Sequence, residues 1–195
     1  MRAFRQTSAS LFEELYDAVL ATSWRRELVV EEIPAPQRIA PNALALGAYV
    51  MVGEDELGGG HLIVLHDPDG NASWDGEFRC VTYAHADVDE AMATDALLPG
   101  VAWSWLLDAL GRNRAPFHAP SGTVTTVSST SFGAIEDEVP GSRVELRASW
   151  TPVVDSPADI VGHLAAWGDL LCLMSGLPPL PEGVVPIARH RSGTR

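Results

Sequence analysis

The sequence predicts an α+β domain built on one antiparallel sheet of about five strands, with helices packed on one face. Three observations lead there. Segments that alternate apolar and polar residues follow one another directly, as strands joined by turns do. Segments with helical periodicity and capping residues stand before, between and after them. The chain has 195 residues, 46% of them hydrophobic, enough for one core that removes roughly 70% of the unfolded surface from water. No internal repeat or long linker divides it, so residues 1–195 are read as one domain, with a folded core over 7–180 and an extended tail over 181–195.

Taking the elements in order, Ser10 and Glu13 have the spacing of a capping box, and Leu11, Leu15, Val19 and Leu20 recur behind them at helical intervals. The first helix is therefore expected from Ser10. Residues 27–33 are rich in β-branched side chains but run into Pro34 and Pro36, which leaves room only for a short or edge strand. Leu44, Leu46, Ala48, Val50 and Val52 alternate as a strand with one buried face does. Gly58, Gly59 and Gly60 then read as a turn, 61–66 as the next strand, the turn-rich run 67–76 as a hairpin loop and 78–84 as a third strand. These three make a meander.

Asp87 with Glu90 repeats the capping-box spacing. The helix behind it is interrupted at Pro99 and Gly100, and resumes through Trp103, Leu106, Leu107 and Leu110 until Gly111. Residues 123–132 form a Thr/Ser-rich strand. Residues 143–150 alternate most regularly, with Val144, Leu146, Ala148 and Trp150 on one face and Arg143, Glu145 and Arg147 on the other. Ser156, Pro157 and Asp159 open a last helix, whose apolar face runs from Ile160 through Leu164, Trp167, Leu170, Leu171 and Met174 before Gly176 and Pro178 end it.

The formal net charge of -13 opposes the phosphate neutralisation on which nucleic-acid binding depends, and it disfavours an anionic membrane surface. Neither is expected as a direct ligand. The first residues lack a secretory apolar stretch and the run 43–52 is too short to cross a bilayer, so a cytoplasmic location is expected. Arg2, Arg5, Arg25 and Arg26 towards one end, and Arg189, Arg191 and Arg195 at the other, concentrate positive charge suited to an acidic partner. Cys80 and Cys172, far apart in the chain, read as buried thiols.

Motifs of catalysis fail on inspection. Asp67, Asp69 and Asn71 begin like a calcium loop, but Ala72 stands where Gly permits the sharp turn and Phe78 where a bidentate Glu is needed. The segment reads as a structural hairpin. Ser128, Ser129 and Ser131 lack a nucleophile elbow, and the glycine triplet lacks the Lys-Ser/Thr ending of a phosphate loop. The six histidines have no zinc-binding spacing. His61, His66 and His85 nonetheless fall at neighbouring strand ends, with Asp67 and Asp87 nearby, so a small metal-assisted or acid/base enzyme built there is the alternative function. Alternation sends His61 and His66 to opposite faces, which favours ordinary strand histidines. No catalytic residue, metal ligand or cofactor is assigned.

What remains is surface. Arg143 and Arg147, joined by Arg79 and Tyr83 from the meander, make a charged sheet face that is either a solvated ion-pair ladder or a binding surface. Trp103 and Trp105, two apart on a helix, cannot share a face, so at least one is an interface candidate.

The strings at 31–41 (Glu-Glu-Ile-Pro-Ala-Pro-Gln-Arg-Ile-Ala-Pro), 65–70 (Leu-His-Asp-Pro-Asp-Gly), 74–79 (Trp-Asp-Gly-Glu-Phe-Arg), 97–106 (Leu-Leu-Pro-Gly-Val-Ala-Trp-Ser-Trp-Leu), 147–152 (Arg-Ala-Ser-Trp-Thr-Pro) and 163–167 (His-Leu-Ala-Ala-Trp) resemble an actinobacterial family of unknown function, the one numbered three thousand. The resemblance implies a cytoplasmic actinobacterial protein, brings no assigned activity, and suggests a ribonuclease D-like exonuclease as partner. The order of elements is in turn similar to that of type III secretion chaperones, which are small, acidic, dimeric binding proteins. The function expected is accordingly that of a non-enzymatic protein-binding, adaptor or chaperone-like protein, acting as a homodimer on a protein partner.

Overall fold

A computed structural model describes residues 2–135 and 141–180. The extended tail expected over 181–195, with Arg189, Arg191 and Arg195, lies outside the described residues. Six strands form one antiparallel sheet: β1 (Leu28–Ile33), β2 (Asn42–Val52), β3 (Asp55–Asn71), β4 (Gly76–Asp87), β5 (Phe117–Ser128) and β6 (Ser142–Pro152), in the order β1-β2-β3-β4-β6-β5. The helices are α1 (Arg2–Leu20), α2 (Glu90–Ala93), α3 (Leu98–Arg112) and α4 (Ile160–Met174). The first four strands are a meander; the chain then passes through α2 and α3 to the far edge, and β6 returns between β5 and β4.

Period-two alternation decides which face is buried. Leu44, Leu46, Ala48 and Val50 of β2 stand in register with Val64 and Leu62 of β3, then with Cys80, Thr82, Ala84 and Ala86 of β4, and with Trp150, Ala148, Leu146 and Val144 of β6. All of these are buried. Leu15 and Val19 of α1, Ala102, Leu106 and Leu110 of α3, and most of α4 close over them as a single core. Helix α4 is apolar nearly all round because it sits in the middle of this layer, with Ile160, Leu164, Ala166, Trp167, Leu170 and Leu171 buried. No described helix is long and apolar enough to cross a membrane.

Several boundaries differ from the sequence expectation, each for a local reason. The glycine triplet is inside β3, and the hairpin before it turns at Gly53, whose φ is 66°. A Cβ on Gly60 would strike the Tyr83 carbonyl and come within 3.1 Å of Leu171 Cδ2, while one on Gly58 would meet Ser175 Oγ at 2.8 Å. The triplet is the seat of the α4 C-terminus. Helix α1 begins before Ser10, which is therefore within it. The cap of α2 is Asp89, accepting from the Met92 amide at 2.7 Å, in place of Asp87. Pro99 occupies the first turn of α3, where a missing N–H costs nothing. Strand β5 starts at Phe117 and ends before Phe132; Pro120 hides its beginning, and is tolerated because β5 is an edge strand with a bulge between His118 and Ser121.

Candidate binding site on the open sheet face

On the face away from the helices, one cross-strand row runs through Gly47 of β2, His61 of β3, Tyr83 of β4, Arg147 of β6 and Thr123 of β5. The next row carries Tyr49, Gly59, His85, Glu145 and Thr125. The side chains are coupled. His61 and His85 lean on Tyr83 with ring centroids 5.5 Å and 5.6 Å away. The Arg147 guanidinium lies over the Tyr83 ring, its Cζ 5.0 Å from the centroid, and pairs with Glu145 at 3.0 Å. Partial burial and the Glu145 carboxylate, which accepts the Tyr83 hydroxyl, push the phenol above its usual range. His61 is pushed below the usual histidine range by burial.

Beside this group is a trough of about 580 Å³, lined by His61, Val81 and Tyr83 from the meander, Arg147 and Ser149 from β6, and Ser121 and Thr123 from β5. That volume is in the range of small-ligand sites. Arg79 is buried at the trough's edge. It donates to Ala119 O (2.9 Å), Thr151 Oγ1 (2.9 Å), Ser121 Oγ (3.2 Å) and Ser149 Oγ (2.7 Å). The guanidinium thereby pins the β5 bulge, where Ala119 has φ 47°, to β4 and β6. Every one of these acceptors is neutral. Arg143, farther along the face, pairs with Asp87 at 3.2 Å.

With this geometry in view, the family described as Protein of unknown function (DUF3000) matches residues 8–185, a span that includes all six strands and the trough. The chain belongs to this family. No curated protein matches the DUF3000 chain, and no solved structure does.

The remaining expected positions of the DUF3000 chain fall as follows. Arg79, Tyr83, Arg143 and Arg147 share the open face, Tyr83 and Arg147 at its centre. Trp103 and Trp105 are both half-buried and packed against the core. Trp103 supports β5 from beneath, where a Cβ on Gly122 would meet it at 2.8 Å. Trp105 continues a line with Leu97 and Val101, which are 71% and 42% exposed and spaced at i, i+4 and i+8.

The three strand histidines do not converge. His66 is on the helix side, fully buried, stacked on Phe78 (4.4 Å) and Phe12 (5.4 Å), with Asn42 Nδ2 donating to its Nδ1 at 3.1 Å. His61 and His85 are on the opposite face. Among the described residues, no three His, Cys, Asp or Glu side chains are grouped to hold a metal ion. The run 67–71, expected as part of a hairpin loop, is instead the end of β3, and the turn is confined to 72–75, where the Asn71 side chain accepts from the Ser73 amide at 2.9 Å. Both thiols are buried, and burial pushes Cys80 up and Cys172 up to about 11. Sequence reasoning missed Ser121 and Ser149; the alternation of β6 puts Ser149 on the Arg147 face, but the β5 bulge that brings Ser121 opposite it has no local signature.

Proposed function

We propose that this DUF3000 protein is a non-enzymatic cytoplasmic binding protein that receives a partner protein on the open face of its sheet. The observation that carries the reading is the trough around Tyr83 and Arg147, a set of aromatic, basic and hydroxyl groups held in mutual contact on a face that the described helices leave open. Preorganisation of this kind favours binding because little side-chain freedom remains to be lost on association. The thiols support the reading too, since burial keeps them protonated and out of nucleophilic chemistry.

Charge points to the class of partner. Arg79, Arg143 and Arg147 are gathered on β4 and β6 of this surface, where Asp87 pairs with Arg143 and Glu145 with Arg147 while no carboxylate among the described residues pairs with Arg79, in a chain whose net charge is -13. This cluster of arginines is therefore where an acidic segment of a partner would find cationic groups to meet. The test is to purify complexes from extract with the tagged protein and with its Arg147→Glu and Tyr83→Ala variants, and to mix each directly with a ribonuclease D-like exonuclease. A stoichiometric complex formed by the parent protein and lost in both variants, at unchanged circular dichroism, is the expected result. Complexes recovered equally with all three proteins, or with none, refute it.

A further inference from the structure

We infer that the floor of the trough is a carboxylate site, which takes an acidic side chain presented by the partner. The inference rests on the docking face proposed above and names what enters the trough beside Ser121 and Ser149. Two independent observations meet there.

The first is a buried charge without a counter-charge. Arg79 is 8% exposed, and among the described residues no carboxylate pairs with it. Four neutral oxygens accept from its Nη1 and Nη2 groups but leave the positive charge uncompensated in a medium where charge is costly to bury.

The second is a count of hydroxyl hydrogens. Ser121 Oγ and Ser149 Oγ each accept from Arg79 Nη2, and the two oxygens are 3.2 Å apart. A serine has one O–H to give. One of the pair can donate to the other, and the second hydrogen is not consumed within the pair. Both serines line the trough, so that O–H, polarised by the guanidinium behind it, is offered to whatever enters.

Arg143 is paired with Asp87 and Arg147 with Glu145, so the charge left without a carboxylate is the single one of Arg79, which a monoanionic carboxylate balances more closely than a dianionic phosphate does. Arg147 is at the mouth, 57% exposed, so it can meet the ligand without losing its contact to Glu145.

The experiment is an amide-resolved NMR titration of the full chain at pH 7, with chloride adjusted to hold ionic strength constant. The probes are sodium acetate in one arm and inorganic phosphate in the other. Saturable shifts with acetate at Ser121, Thr123 and Ser149 are expected, and about tenfold weaker binding in Ser149→Ala and in Arg147→Gln. If Ser149→Ala does not fold, Ser121→Ala on the exposed edge strand takes its place. Shifts that never saturate, or that are the same in the variants, overturn the site; saturation by phosphate without acetate overturns the choice of carboxylate. The titration needs no partner, so its failure is separate from a failure to capture one.

Discussion

His163 makes the folded state sensitive to mild acid. It sits on α4, fully buried, and Trp150 Nε1 donates to its Nδ1 at 3.1 Å. The neutral ring must then carry its proton on Nε2. Protonation would set an N–H on Nδ1 against the Trp150 N–H, at a fully buried position where charge is costly. Burial accordingly lowers the pKa from 6.5 to about 4, opposed only by the nearby Asp159 carboxylate. The unfolded chain binds a proton at this position between those two values and the folded chain does not. Stability is thus fully present above pH 6.5 and falls as pH drops towards 4. At 1.36 kcal/mol per unit, the loss is about 3 kcal/mol. Urea denaturation of the parent protein and of His163→Gln, each measured at several pH values from 7.5 to 4, reads it directly. Other buried histidines, such as His66, and the carboxylates remote from His163 titrate in both proteins and cancel in the difference, which therefore reads His163 together with its neighbour Asp159. The gap between the two proteins should close by about 3 kcal/mol as the pH falls. Parallel curves, or a His163 ring that titrates near 6.5 by NMR, would refute the reasoning.

Two further outcomes concern stability. Gly60→Ala should destabilise by about 1–3 kcal/mol in urea, because its Cβ meets the β4 backbone and Leu171, whereas Gly100→Ala, with nothing within 4 Å, should be neutral or slightly stabilising; equal midpoints for the two would contradict the seating of α4. Asp159 accepts from the Ser156 amide at 2.7 Å and the Asp155 amide at 3.0 Å, so Asp159→Ala should cost about 1 kcal/mol at pH 7, and the cost should vanish below the usual carboxylate range because hydrogen bonding holds the Asp159 pKa down.

Period-two alternation was strong enough in 143–150 to place every side chain on its correct face, because a half-buried central strand tolerates no slip of one residue. The same rule separates His61 from His66, since five residues along a strand reverses the face. It failed at the glycine triplet. Glycine is read as a turn former from sequence, yet here it is selected by the close approach of the neighbouring strands and of the α4 end, the latter through Leu171 and Ser175, more than a hundred positions away. It failed again at β5, where Pro120 and the bulge break the alternation of an edge strand that pairs only with β6.

The open face shows the same division. That Arg143, Glu145 and Arg147 share one side follows from spacing alone. That Arg147 lies over Tyr83, and that Arg79 reaches across β6 to the β5 bulge, depends on the order β4-β6-β5, which no local pattern encodes. By itself, the sequence determined the fold class, the family resemblance and the facing of individual strands, because these follow from short-range periodicity and from long distinctive strings. Only the tertiary structure decided that Ser121 and Ser149 meet over a buried guanidinium to floor the trough, because strand order and a bulge set those contacts between segments far apart in the chain.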